Sequence, residues 1–315
     1  MLVFQFPGQG SQSVGMGVAL AEAFPEARAV FDEVDAALSQ NLFALMREGP
    51  GEELTRTENA QPALMAVSLA TMAALKARFG VDVTAASHVA GHSLGEYSAL
   101  TAAGAFTIAD CARLLRTRGL AMQRAAPAGV GAMASLIGPK VDLALAEAAA
   151  AEGAKVGVCV VANDNNAGNV VISGEAAAVD AAIAAAKAMG ARAIPLAVSA
   201  PFHCPLMAPA AEAMAQALAE VRVAAPRVPV VANVTVAPET DPDRIRALLV
   251  AQVTGRVRWR ETVLWLAELG VTRFVEIGAG AVLTGMSKRL VPEAESLAPG
   301  TADDIAAFAA SLIRG

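Results

Sequence analysis

Ser93 stands at the centre of Gly91-His92-Ser93-Leu94-Gly95, with a β-prone run at 87–91 before it and a helix-prone run carrying Glu96 and Leu100 after it. Gly-x-Ser-x-Gly at a strand-to-helix junction is the pattern of a nucleophile elbow, where small residues let the chain turn sharply enough to expose the hydroxyl. A helix beginning at Ser93 aims free N–H groups and its positive dipole end at any oxyanion formed there, with the Leu94 N–H as the nearest donor. The bland alternative is a glycine-rich turn with a solvated serine.

A serine hydroxyl attacks only when a base takes its proton. The chain has three histidines. His92 adjoins Ser93, and neighbours at an elbow point in different directions, so it is assigned to the support of the turn. His88 lies within the strand and reads as packing. His203, in "SAPFHCPLM", follows a strand and precedes a helix, where a parallel sheet brings its loops to one edge, and is the expected base. An orienting acid would fall among Asp110, Asp164 and Asp180, yet none stands out. Asp110 has capping-box spacing with Thr107, Asp164 is placed in a loop, and Asp180 falls on an outer helix face. A dyad whose imidazole is held by a backbone carbonyl is the alternative to a triad.

Two further elements carry chemistry. "FPGQGSQ" (6–12) matches no Walker or dinucleotide fingerprint in full. At the C-terminal end of the first strand it is either a tight connection or the source of a second backbone oxyanion donor, for which Gln9 is the natural candidate. Cys111, Leu115, Arg118 and Met122 recur at helical spacing, which puts Arg118 in line with an apolar stripe. A guanidinium drawn in there needs a partner and suits a planar carboxylate, from the protein or from a substrate.

Hydrophobic residues make up 55% of the 315 and charged residues 17%, as in a chain with a large interior. A formal charge of −6 without basic runs argues against nucleic acid. Cys111, Cys159 and Cys204 lack disulfide or zinc spacing. No Lys or Arg precedes Arg28, so no secretory signal is expected. The uncharged stretch after Arg192 is broken by Pro195, Pro201, Pro205 and Pro209, which excludes a membrane span. A monomer of the cytoplasm is the expectation.

The elements that must position these residues read as a strand at 2–6, helices at 14–22, 25–38 and 59–79, the strand at 87–91 with its helix, and a helix at 107–126. From 130 to 196 the order becomes β-α-β-β-α-β, the split ferredoxin-like unit. After it come a helix starting near His203, a strand at 228–233, helices at 242–253 and 259–269, a strand at 273–278, a helix from Ala281 and a closing helix at 301–313. The division is thus an α/β core at 1–128 and 197–315, its sheet mainly parallel, with 129–196 inserted.

Taken in order, "FPGQGSQ", "QPALMA", "GHSLGEYSAL", "TRG…MQ", "GAMASLIG", "NDNNAGNVVISG", "PFHCPLM" and "FVEIG…VLTGM" resemble the malonyl-CoA:acyl carrier protein transacylase family of bacterial fatty-acid synthesis, from residue 3 to about 290. The resemblance implies an α/β-hydrolase-like core with a ferredoxin-like subdomain inserted. It implies Ser93 as nucleophile, His203 as base, Arg118 as anchor of the malonyl carboxylate, and the N–H groups of Gln9 and Leu94 as the oxyanion hole. Gln252 matches the residue whose main-chain carbonyl orients the histidine, Met122 one that lines the acyl pocket, and Asn165 and Asn233 polar positions near the cleft. Phe202 precedes the histidine, as in related acyltransferases that take malonyl units, and its bulk should crowd an α-methyl branch.

The substrates so implied are malonyl-CoA and an acyl carrier protein, with no metal or redox cofactor. Lys187, Arg192, Lys288 and Arg289 are guesses for a basic patch that meets an acidic carrier. Ala279 and Ala281 stand where the family commonly has Pro and Lys, a departure expected to alter a loop or a carrier-facing charge. The rival readings are a serine esterase or thioesterase, a malonyl transferase serving a polyketide or malonate-decarboxylase system, and a carrier-docking scaffold with a relic site.

Overall fold

Every residue of the opening run LVFQF is buried, as befits a strand with both faces covered. The computed structural model describes residues 1–127, 129–198 and 200–313. After β1 (Leu2–Phe6) come α1 (Val18–Ala23), α2 (Pro25–Leu38), α3 (Leu42–Glu48), α4 (Gly51–Thr55) and α5 (Thr57–Phe79). β2 (His88–Gly91), α6 (Leu94–Ala102) and α7 (Ile108–Ala125) follow. Next are β3 (Gly131–Ile137), α8 (Leu143–Gly153), β4 (Cys159–Asn166), β5 (Asn169–Glu175), α9 (Ala176–Ala188) and β6 (Arg192–Pro195). The chain closes with α10 (Ala208–Ala219), β7 (Val230–Val231), β8 (Pro238–Glu239), α11 (Pro242–Thr254), α12 (Trp259–Glu268), β9 (Arg273–Glu276), α13 (Val282–Leu290), β10 (Glu295–Leu297) and α14 (Ala302–Ile313).

Among the described residues the main sheet has six strands in the order β10-β9-β1-β2-β7-β8. β1 runs parallel to both β2 and β9, β7 is parallel to β2, and only the edge strand β8 is antiparallel. Parallel strands end at one edge, so the segments after β1, β2, β7 and β9 converge there. Those segments carry Gln9, Ser93, Asn233 and Ala281. α5, seventeen of whose residues are buried, packs beneath this edge against α7.

β3 to β6 form a separate four-stranded sheet in the order β4-β5-β3-β6, antiparallel throughout, with its own apolar cluster around Leu136, Ile172 and Val179. This is the ferredoxin-like arrangement. Several contacts seat it on the core, two of them side by side. Val257 pairs with β4 through its N–H to Ala162 O (2.8 Å) and its carbonyl to the Asp164 N–H (3.0 Å), and Arg260 meets the fully buried Asp164 carboxylate at 2.9 Å.

Several expectations shift. Asp164 lies within β4, not in a loop, and its charge is answered by Arg260. α1 starts at Val18 because Gly15 and Gly17 hold left-handed backbone that a helix excludes (φ 92° and 80°). The helix expected near His203 begins later, at a 3₁₀ turn over Pro205–Met207 followed by α10. The strand preceding His203 is β6 of the inserted sheet, so this histidine comes in as the chain returns to the core, not off a parallel strand. The strand at 228–233 shortens to two residues, and α3, α4, β8 and β10 were not anticipated. The expected boundary at residue 128 and the chain end at 315 lie outside the described residues.

Candidate active site

The elbow is built by close approach. A Cβ on Gly91 would stand 1.9 Å from the Gly95 carbonyl, and one on Gly95 would stand 2.1 Å from Phe6 O. Only glycine fits either place. Between them Ser93 adopts φ 54° and ψ −112°, a strained conformation for a residue with a side chain. Its backbone is held at both ends: the N–H donates to Asn233 Oδ1 (2.8 Å), and the carbonyl accepts from Gln252 Nε2 (3.0 Å).

His203 Nε2 lies 2.8 Å from Ser93 Oγ. Its Nδ1 faces two carbonyl oxygens, Gln252 O at 3.0 Å and Gly255 O at 3.1 Å. Carbonyls only accept, so Nδ1 carries the hydrogen and Nε2 presents its lone pair to the serine hydroxyl. Burial pulls the imidazole pKa down to about 3, and the Arg118 charge lowers it further against the upward pull of the two carbonyls. The resting ring is therefore neutral and able to accept a proton. Asp110, Asp164 and Asp180 take no part: Asp110 caps α7 with Thr107, Asp164 pairs with Arg260, and Asp180 is exposed.

Arg118 is 2% exposed. α7 brings it in because Gly119 lets the helix press on α5, where a Cβ would stand 2.5 Å from Glu58 Cα. Its Nη1 donates to Gln61 Oε1 (2.7 Å), and its Nη2 donates to Gln252 Oε1 (3.0 Å) and to Ser93 Oγ (3.1 Å). The guanidinium also lies 5.7 Å from the Tyr97 ring centre. Among the described residues no carboxylate comes within salt-bridge distance of it. Neutral acceptors hold the cation in place without discharging it.

A cavity of about 370 Å³ opens over these groups and is lined, among others, by Gln9, Met122, Asn165, Phe202 and Met286. Gln9 and Leu94 line the cavity with Ser93, and their backbone N–H groups donate no hydrogen bond to another described residue. The Gln9 side chain accepts from Thr57 Oγ1 at 2.9 Å, and Thr57 Oγ1 in turn accepts from Gln61 Nε2 at 2.8 Å. Asn165 meets His92 Nε2 at 2.9 Å, which ties the elbow to β4. His88 packs edge-on to Trp265, away from the serine. Asn233 does not reach the cavity: it is buried behind the elbow and braces Ser93.

Lys187, Arg192, Lys288 and Arg289 are all exposed. Ala281 caps α13 at the rim, with Val282 and Leu283 in the cavity wall behind it, and Ala279 is buried. No group of three or more His, Cys, Asp or Glu close enough to share a metal ion occurs among the described residues. The residues that sequence reasoning did not single out are Gln61, Gly255 and the Glu96 carboxyl. A glutamine inside an otherwise apolar helix was a usable signal for Gln61, whereas a backbone carbonyl such as that of Gly255 leaves none.

The acyl transferase domain family model matches residues 3–308. The malonyl CoA-acyl carrier protein transacylase of Escherichia coli strain K12 is 46% identical over 310 residues, 98% of both chains. That of Bacillus subtilis strain 168 is 43% identical over 290 residues, 92% of this chain and 90% of the relative. Among solved structures, the acyl-carrier-protein S-malonyltransferase of Bartonella henselae superposes with a TM-score of 0.96 at 53% identity over 99% of each chain. A malonyl-transacylase in complex with its type II PKS acyl-carrier protein superposes with a TM-score of 0.93 at 43% identity over 98% of this chain and 99% of the other. With a family model across nearly its whole length and relatives this similar end to end, the chain belongs to the malonyl CoA-acyl carrier protein transacylases of the acyl transferase domain family.

Proposed function

We propose that this enzyme transfers a malonyl group from malonyl-CoA to the phosphopantetheine thiol of an acyl carrier protein, supplying fatty-acid synthesis. His203 Nε2 takes the Ser93 proton as Oγ attacks the thioester carbonyl, and the Gln9 and Leu94 N–H groups receive the oxyanion. The C–S bond then breaks. CoA leaves with the proton from His203, and malonyl-serine remains. The carrier thiol enters the same cavity, gives its proton to His203 and attacks the ester, and Ser93 recovers its hydrogen as the new thioester departs.

The observation that carries this reading is the 3.1 Å contact between Arg118 Nη2 and Ser93 Oγ. Malonyl has one methylene between its two carbonyl carbons, which two C–C bonds of ~1.5 Å hold roughly 2.5 Å apart. A cation that grips the far carboxylate must therefore stand almost against the nucleophile. Met122 and Phe202 bound the acyl space in this proposal. Asn165 and Asn233 support the elbow from the two sides.

The exposed Lys187, Arg192, Lys288 and Arg289 remain our candidates for meeting an acidic carrier. We place the division of the chain at 1–128 and 197–315 for the catalytic core and 129–196 for the inserted unit. A cytoplasmic monomer that binds no nucleic acid completes the proposal. Its support is the net charge of −6, the lack of any helix long and apolar enough to cross a membrane among the described residues, and exposed apolar side chains such as Leu120, Val156 and Leu269 that are spread over separate elements.

Intact-mass analysis after mixing with malonyl-CoA alone tests the reading. A persistent malonyl adduct that vanishes in Ser93→Ala supports transfer, whereas steady release of free malonate without an adduct replaces it with hydrolysis. Transfer to purified carriers from fatty-acid, polyketide and malonate-decarboxylase systems then identifies the acceptor.

A further inference from the structure

The backbone of Ser93 is gripped by two side-chain amides, and both routes lead to one atom. Asn233 Oδ1 receives the Ser93 N–H, and Gln252 Nε2 donates to the Ser93 carbonyl. The Asn233 backbone N–H and Gln252 Nε2 then both donate to Glu96 Oε2, each at 2.9 Å. Glu96 is 3% exposed, sits in the first turn of α6, and is not among the residues that touch the cavity.

The consequence lies in the amide of Gln252. Its two N–H bonds are committed to Ser93 O and Glu96 Oε2, so its Oε1 has to face Arg118 Nη2. An amide turned the other way would set N–H against N–H at the guanidinium and oxygen against oxygen at Glu96. An acceptor at position 96 joins the Ser93 carbonyl and the Arg118 donor in favouring the observed orientation, and of the two acceptors it is the one that a substitution can remove. Through the same residue it also reaches the base, because the Gln252 main-chain carbonyl holds His203 Nδ1.

We propose that Glu96 is a positioning residue for the transfer reaction: its Oε2 locks the Gln252 amide in the orientation that fixes Arg118 for a carboxylate-bearing acyl group. The inference rests on the reading of Arg118 as the malonyl anchor. The demand is for an accepting oxygen, not for a negative charge. Consistent with this, burial raises the Glu96 carboxyl to about 7, so the site holds a substantial neutral fraction near physiological pH.

The test is the preference of Ser93 for malonyl-CoA over acetyl-CoA, read as initial adduct formation by intact mass in variants shown by thermal unfolding to be folded. Glu96→Ala removes the acceptor and should lower the preference about tenfold or more, chiefly through malonyl. Glu96→Asp draws the oxygen back by one methylene and should fall in the same direction, and it serves where Glu96→Ala does not fold. Glu96→Gln keeps an oxygen that accepts from both donors and should stay within about threefold of the parent. A merely structural role would lower the unfolding temperature and leave the preference untouched. Parental preference in a folded Glu96→Ala or Glu96→Asp enzyme overturns the inference, and so does a loss in Glu96→Gln as large as in Glu96→Ala. If the parent enzyme itself forms no malonyl adduct, the transfer reading fails first and takes this inference with it.

Discussion

Arg118 and Ser93 are in direct contact, Nη2 to Oγ at 3.1 Å, on the hydroxyl that also faces His203 Nε2 at 2.8 Å. The hydroxyl donates to the imidazole and accepts from the guanidinium, so both side chains converge on the Ser93 oxygen. The direct hydrogen-bond partners of this buried cation are all neutral, and in our proposal an incoming carboxylate supplies the contact ion pair that no described residue makes with it.

Arg118→Ala should therefore separate the two acyl groups. Acylation by malonyl-CoA is expected to lose about 2–4 kcal/mol in kcat/KM, roughly 30- to 1,000-fold. Acylation by acetyl-CoA, which has nothing to offer a guanidinium, should fall far less. Single-turnover adduct formation with each thioester measures both, and equal losses would remove Arg118 from substrate choice.

The pH dependence follows from His203. Its pKa, pulled to about 3 by burial and the Arg118 charge, leaves the imidazole deprotonated through the range where a free imidazole titrates. Acylation kcat/KM should then show no acid limb near 6.5, staying flat from about pH 5 to 8 as far as this group is concerned. Stability responds in the opposite sense to a salt-bridged histidine. The unfolded chain takes the proton more readily, so this contribution is complete above about 6.5 and drains away as pH falls toward 3. A rate profile measured by rapid quench that halves near pH 6.5 in folded enzyme would contradict this environment.

How far the residues alone could go is clear from the site itself. Gly91 and Gly95 bracket Ser93 because a Cβ at either would strike backbone, so the elbow is written in residue types. Arg118 betrayed itself by falling on an apolar stripe. The carbonyls of Gln252 and Gly255 are backbone atoms, and every residue has one, so nothing in composition marks those that will face a histidine. Asp164 misread as loop for a related reason: in "NDNNAG" a polar run at the end of a strand looks like a turn, and its ion pair with Arg260 crosses 96 positions. Short helices such as α3 and α4 hide behind the breakers Gly49, Pro50 and Gly51.

Phe202, on the cavity wall directly before His203, is expected to set the width of the acyl space in the proposed reaction. Phe202→Ser should admit methylmalonyl-CoA, shifting the methylmalonyl-to-malonyl ratio of kcat/KM by about 1–3 kcal/mol, roughly five- to 160-fold. Competition between the two thioesters, read as the mass of the adduct on Ser93, checks it. An unchanged ratio would place the discrimination elsewhere in the pocket.

Asp164 gives the last prediction, because it links the inserted unit to the part of the core that faces His203. Its carboxylate is fully buried and Arg260 on α12 is 30% exposed, so the pair lies at the seam and closes over the acid more than over the base. Beside it Val257 hydrogen-bonds to β4, two residues from the Gly255 carbonyl that faces His203. Asp164→Ala should cost about 1–3 kcal/mol, less than a fully buried pair because Arg260 regains water, and lower the unfolding temperature by several degrees. Arg260→Ala should cost at least as much, because it strands the buried carboxylate without its partner. The double variant should recover part of that second loss, since no unpaired charge is then left inside. Thermal unfolding of the three variants at pH 7.5 measures the cycle, and strictly additive losses would show that the two side chains do not hold the seam together.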